Sequence, residues 1–157
     1  MKSWQEAIKD GAVSGGMAGV VMNLATAAAG QVETGHAAAT LNAVSHSLWG
    51  DEAAREDGVS AKYTLNGLAL NEGATVMWAT VYEKLFGHYA DRGQVSMALL
   101  GGAAVAGLAY VVDYHLVPKR LTPGYEKRLS KRGLGALYGV LALSLALGGL
   151  LKRKRIA

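Results

Sequence analysis

Apolar residues in this chain come in long blocks rather than in turns of alternating wet and dry positions. Residues 11–32, 93–112 and 133–151 contain no formal charge. A water-facing amphipathic helix shows a charge every turn or two, so these blocks read differently. They reach or approach the roughly 20 residues needed to cross hydrocarbon. A fourth stretch, 63–86 (YTLNGLALNEGATVMWATVYEKLF), is long enough and aromatic at its ends, yet carries Asn71, Glu72 and Glu83. The pattern predicts an all-α polytopic membrane protein: a single membrane domain over 1–157 whose four-helix bundle has spans near 11–30, 63–86, 95–117 and 133–151.

The spans show which faces expect neighbours. Gly11, Gly15, Gly19, Asn23 and Ala27 recur every four residues. A strip of small side chains lets another helix backbone approach closely. The third span repeats it with Gly102, Ala106, Ala109 and Asp113, and the fourth with Gly135, Gly139, Ala142 and Ala146. Met1–Asp10 reads as a short amphipathic lead with Trp4 as interface anchor. Ala25-Thr26-Ala27 and Ala27-Ala28-Ala29 mimic a signal-peptide cleavage site, but Glu6 and Asp10 spoil the basic leader and Asn23 interrupts the apolar run. Residues 36–49 (HAAATLNAVSHSLW) have helical spacing and end at Gly50; they are short for a span and predict an interfacial or re-entrant helix. Residues 87–94 read as a turn. Leu121, Tyr125 and Leu129 at helical spacing predict a segment lying on the membrane surface, with Lys and Arg reaching outward.

Charge sharpens the picture. Residues 33–62 carry a net charge of −3 and residues 119–132 a net charge of +5; both loops emerge on one face, where they could pair. The chain as a whole carries +4 at pH 7 and ends in Lys152-Arg153-Lys154-Arg155. The basic loop and tail predict contact with anionic head groups. No aromatic-interleaved basic patch points to nucleic acid. Lys and Arg counts tie between the two faces; the lysines before the first span point to a cytoplasmic N-terminus. There is no cysteine, which excludes disulfides and thiolate chemistry.

At about 1.5 Å of rise per residue, polar side chains from every span fall in one half of the bundle. They are Asn23, Asn71, Glu72, Asp113, His115 and Tyr138, with His46 above them. Glu72 and Glu83 are three helical turns apart and share a face; Glu83 lies toward the other half, near Lys84 and Arg92. Three readings follow for the cluster. It is interhelical hydrogen-bond glue, a water-accessible site for a proton or cation, or a metal or haem site through His36, His46 or His115. The histidine spacing matches no metal motif, so no cofactor is expected. Acid–base work on a lipid by His46, Asp113 and His115 lacks a nucleophile motif.

Three phrases resemble known sequences: His46-Ser47-Leu48-Trp49-Gly50-Asp51-Glu52-Ala53, Tyr82-Glu83, and the run from Asp113 to Glu126, DYHLVPKRLTPGYE. They are similar to phrases in small uncharacterised bacterial inner-membrane proteins. The resemblance implies that membrane and brings no activity. The resulting expectation is a structural or accessory subunit that self-associates or joins a larger membrane complex through its Gly strips. The alternatives are a proton- or cation-linked transporter using Glu72, and a metal or haem protein.

Overall fold

In the computed structural model the chain is all-helical, with no strand among the described residues. The structure describes the backbone of residues 1–156 and the side chains of residues 1–153. Four long helices carry the fold: α1 (Trp4–Thr34), α4 (Asn66–Leu85), α6 (Val95–Val111) and α7 (Lys131–Ile156). Shorter pieces are α2 (Ala37–Val44), α3 (His46–Trp49) and α5 (Gly87–Asp91). Three segments are long and apolar enough to cross a membrane: Trp4–Thr34, Val95–Leu116 and Lys131–Arg153. Helix α4 is not among them, because Asn66, Asn71, Glu72, Glu83 and Lys84 lower its hydropathy.

Helix α1 starts earlier than the charge-free block. Ser3 Oγ accepts from the Glu6 amide at 3.2 Å and the Glu6 carboxylate accepts from the Ser3 amide at 2.8 Å. This reciprocal cap satisfies two orphan donors and makes the lead continuous with the span. Gly35, at φ 78°, ends the helix in the left-handed conformation that glycine adopts without strain.

The strip on α1 faces α4 in antiparallel register. A Cβ on Gly11 would strike Thr80, one on Gly15 would strike the Val76 backbone, and one on Gly19 would meet the Glu72 carboxylate. Asn23 continues the row, donating to the Leu68 carbonyl at 3.4 Å. Each step of four along α1 thus matches four back along α4. Gly102 of α6 likewise lies against the Ala142 carbonyl of α7, and Ala106 is buried.

Gly135 and Gly139 correct the expectation for the fourth span: they are exposed, with open space where a Cβ would stand. The packed face of α7 is instead Leu137, Leu141, Leu145 and Gly148, the last against the Ser14 backbone. All faces of this helix are apolar, so the sequence alone did not set its rotation.

Residues 36–49 form two helices broken at Ser45, whose hydroxyl donates back to the Asn42 carbonyl. Every residue from Ala38 to His46 is buried. An amphipathic interfacial helix keeps one face wet, so the interfacial alternative is corrected; a re-entrant helix carries no such requirement. Gly30, Gly67 and Gly124 close around α2 because a side chain at any of them would hit its backbone or Thr40. Residues 87–94 contain the helical turn α5 rather than a plain turn.

The acidic and basic loops meet. Lys127 pairs with Asp51 at 3.0 Å, and Arg128 with Asp57 at 2.6 Å and with the Ala54 carbonyl at 2.9 Å. Glu33, at the end of α1, accepts from Ser130 N and Oγ at 2.5 and 2.6 Å, tying α1 to the start of α7.

Candidate functional site

Helices α4 and α6 meet where α4 ends and α6 begins. There Phe86 fills the space beside Gly101, and the Tyr82 hydroxyl donates to the Ala98 carbonyl at 3.3 Å. Toward the other end of α4 a cavity of about 420 Å³ is lined mainly by α4, by α7 and by residues 112–125, which follow α6. Met22, Trp78, Leu137 and Leu141 form its buried floor, while Met77 and Leu121 at the rim are exposed. The cleft is open at that rim, between Met77 of α4 and Leu121 of the segment after α6, and its volume is that of a small-molecule site.

Two polar pairs stand out among its lining residues. Tyr138 of α7 donates to Asp113 at 2.5 Å. Tyr125 donates to Asn71, whose amide in turn donates to Asn23 Oδ1 at 2.9 Å and Thr26 Oγ1 at 3.3 Å. Asn23 reaches the Glu72 carboxylate at 3.4 Å. The rings of Tyr125 and Tyr138 join the two pairs, with centroids 6.4 Å apart. Burial pushes the Tyr125 hydroxyl up from its ordinary range, so it stays a donor.

The structure thus gathers Asn71, Asp113 and Tyr138 on one cleft wall system, with Asn23 behind Asn71. It leaves others out. Glu72 is half-buried over Gly19, on the α1 side of α4. His115 is exposed, its ring edge toward Tyr110, which corrects its place in the polar group. His46 is buried and bonded through Nε2 to the Thr122 carbonyl at 2.8 Å, where it holds the cleft rim. His36 stands 3.8 Å from Asp57.

Tyr125 is the cleft residue that spacing misplaced. It and Leu129 are buried rather than lying on a membrane surface. Gly124, at φ 87°, turns the chain inward just before Tyr125. The Pro123-Gly124 pair announced a turn but not its direction.

At the opposite end of the bundle lies a second polar group. Lys2 Nζ binds Asp10, Glu83 and Asp91 at 2.6, 2.7 and 2.7 Å. Lys152 Nζ binds the same three carboxylates at 2.9, 3.2 and 3.0 Å. Glu83 therefore pairs with Lys2 and Lys152 rather than with Lys84 or Arg92. Burial works against the charge on Lys2, and the hydrogen bonds to Asp10, Asp91 and Glu83 outweigh it, holding Lys2 above the usual lysine range. Asp10, Glu83 and Asp91 lie close enough together to hold a cation, and the two ammonium groups already bridge them. Lys152 is buried, so this residue of the basic tail is turned into the bundle; the side chains of Lys154 and Arg155 lie outside the described residues.

Compared with family models, curated proteins and solved structures, the chain matches none.

Proposed function

We propose that this chain is a four-helix integral membrane protein that takes a membrane-borne amphiphile into the cleft formed by α4, α7 and the segment after α6. The single observation behind this is the make-up of that cleft: an apolar floor, an exposed rim at Met77 and Leu121, and ionisable and amide side chains gathered in the Asp113–Tyr138 and Asn71–Tyr125 pairs. A ligand with an apolar body and a polar end matches that division. Counting α4 as the fourth span is supported by its length, 20 residues or about 30 Å, and by its register with α1. Glu72, facing α1, is sheltered on that side, and the transport expectation moves from Glu72 to the cleft. The membrane assigned is the bacterial inner membrane with the N-terminus in the cytoplasm, on the phrases and flanking lysines described above.

A diazirine-bearing fatty alcohol tests the reading with protein in lipid nanodiscs. Mapped by mass spectrometry, the label is expected on Leu70, Trp78 and Leu141, displaced by unlabelled alcohol and abolished by Leu141→Trp. Label spread evenly over exposed Leu99, Leu108 and Leu143 would contradict it.

A second reading, assembly with another copy or a larger membrane complex as a structural subunit, draws on Gly135 and Gly139, whose open face on α7 leaves room for a close helix. Gly139→Leu is expected to leave the fold intact and dissociate the assembly, measured by native mass spectrometry. An unchanged copy number contradicts it.

A further inference from the structure

We infer that the amphiphile taken by the cleft is an organic cation, a hydrophobic ammonium whose charged end sits beside Asp113 and against the aromatic faces of Trp78, Tyr125 and Tyr138. This rests on the cleft reading above and goes beyond it by naming the ligand's charge.

One carboxylate in the cleft lacks a countercharge. Among the described residues, Asp113 is held by the Tyr138 hydroxyl and by no cation within ion-pair distance. A carboxylate in an apolar cleft is costly unless it is paired. The chain has cations to spare nearby and directs them elsewhere. Lys127 and Arg128 turn to Asp51 and Asp57. Arg120 stands at the exposed outer lip, its Nε donating to the Ser47 carbonyl at 3.1 Å. A second carboxylate, Glu126, comes to the same rim through Thr122 Oγ1 at 2.6 Å and the Tyr114 hydroxyl at 3.1 Å. Inside the lip, the charge a ligand meets is negative.

The walls add the matching aromatic chemistry. Trp78, Tyr125 and Tyr138 line the cleft. Tyr110 packs edge-on against Tyr138, with centroids 5.3 Å apart and rings at 89°, and Tyr114 lies 6.0 Å from Tyr138 at 68°. These contacts fix the Tyr138 ring. An ammonium over an aromatic face is attracted by the ring quadrupole, most strongly where water is excluded. A neutral alcohol would gain the apolar floor and one hydrogen bond. An anion would face Asp113 with no partner inside the lip.

The test is competition against the diazirine alcohol in nanodiscs, using an alkyltrimethylammonium, the alkanol of equal chain length and the alkyl sulfate of equal chain length. Competitor concentrations are matched by their measured amounts in the membrane. The ammonium is expected to displace the label roughly tenfold better than the alkanol, and the sulfate less well than either. Asp113→Asn is expected to remove the ammonium's advantage over the alkanol, with circular dichroism and thermal unfolding reporting that the variant is folded. Should Asp113→Asn fail to fold, the head-group series on the unaltered protein decides alone. Equal displacement by all three, or best displacement by the sulfate, overturns the cation assignment and leaves the cleft reading standing. Absence of cleft labelling by the alcohol overturns both.

Discussion

The Tyr138 hydroxyl and the Asp113 carboxylate bind each other at 2.5 Å, joining α7 to the segment that follows α6. The bond holds the carboxylate at the inner end of the cleft. A hydrogen bond to a charged group is worth about 1.5–3 kcal/mol. Tyr138→Phe is therefore expected to lower thermal stability in detergent by that order while keeping the aromatic wall. A variant as stable as the parent would show that the bond does not form.

The α1–α4 strip discriminates between neighbouring glycines. At Gly15 an added Cβ meets the Val76 backbone, which moves only if the helix moves; at Gly19 it meets the end of the Glu72 side chain, which can swing away. Gly16 faces open space. Gly15→Ala is expected to cost about 1–3 kcal/mol by overpacking. Gly19→Ala is expected to cost less, and Gly16→Ala nearly nothing. Thermal unfolding of the three variants in one detergent checks the order, and equal costs at Gly15 and Gly16 contradict the register.

Lys2 and Lys152 share three carboxylates supplied by α1, α4 and α5. Breaking a buried ionic group by removing one partner costs about 3–5 kcal/mol, because the remaining charges are left uncompensated. Lys152→Met is expected to show that loss in chemical unfolding. Adding Glu83→Gln is expected to restore part of it, since the removed cation then has one fewer carboxylate to answer. Strictly additive losses would mean that the two residues do not interact.

The surface pairing of the two loops sets an acid response. The hydrogen bond from Lys127 holds the Asp51 carboxyl below its ordinary value of 3.8, and that from Arg128 does the same for Asp57. Carboxyls held low when folded contribute stability above the unfolded value and lose it as pH falls through the folded one. Hydrogen exchange over residues 51–57 is therefore expected to stay slow down to about pH 4 and to quicken below it. Quickening on raising pH from 5 to 8 instead, beyond the intrinsic rate change, would contradict the pairing.

Much of the fold was legible because charge-free length is a one-dimensional signal. The blocks at 11–32, 93–112 and 133–151 became three long apolar helices, and the four-residue strip on α1 pointed to a close partner. Helix α4 was less legible, since Asn71, Glu72 and Glu83 hold its hydropathy down. Rotation was not legible where every face is apolar. On α7 the same residue type packs at Gly148 and lies open at Gly139. Nor was the ionic group, because Lys2, Asp10, Glu83, Asp91 and Lys152 come from both chain ends and three helices between. Half of the cleft was readable: Asn71, Asp113 and Tyr138 emerged from depth arithmetic. Tyr125 did not, because a turn's dipeptide fixes that the chain bends and not where the next side chain goes.

A density map of the protein in a lipid nanodisc, with the alkyltrimethylammonium present, tests the central claim most directly. Expected is a space bounded by α4, α7 and residues 112–125, with elongated density over Trp78 and Leu141 whose head abuts Asp113. Side chains of α4, α7 and residues 112–125 packed together, with no space between Trp78 and Tyr138, would contradict it.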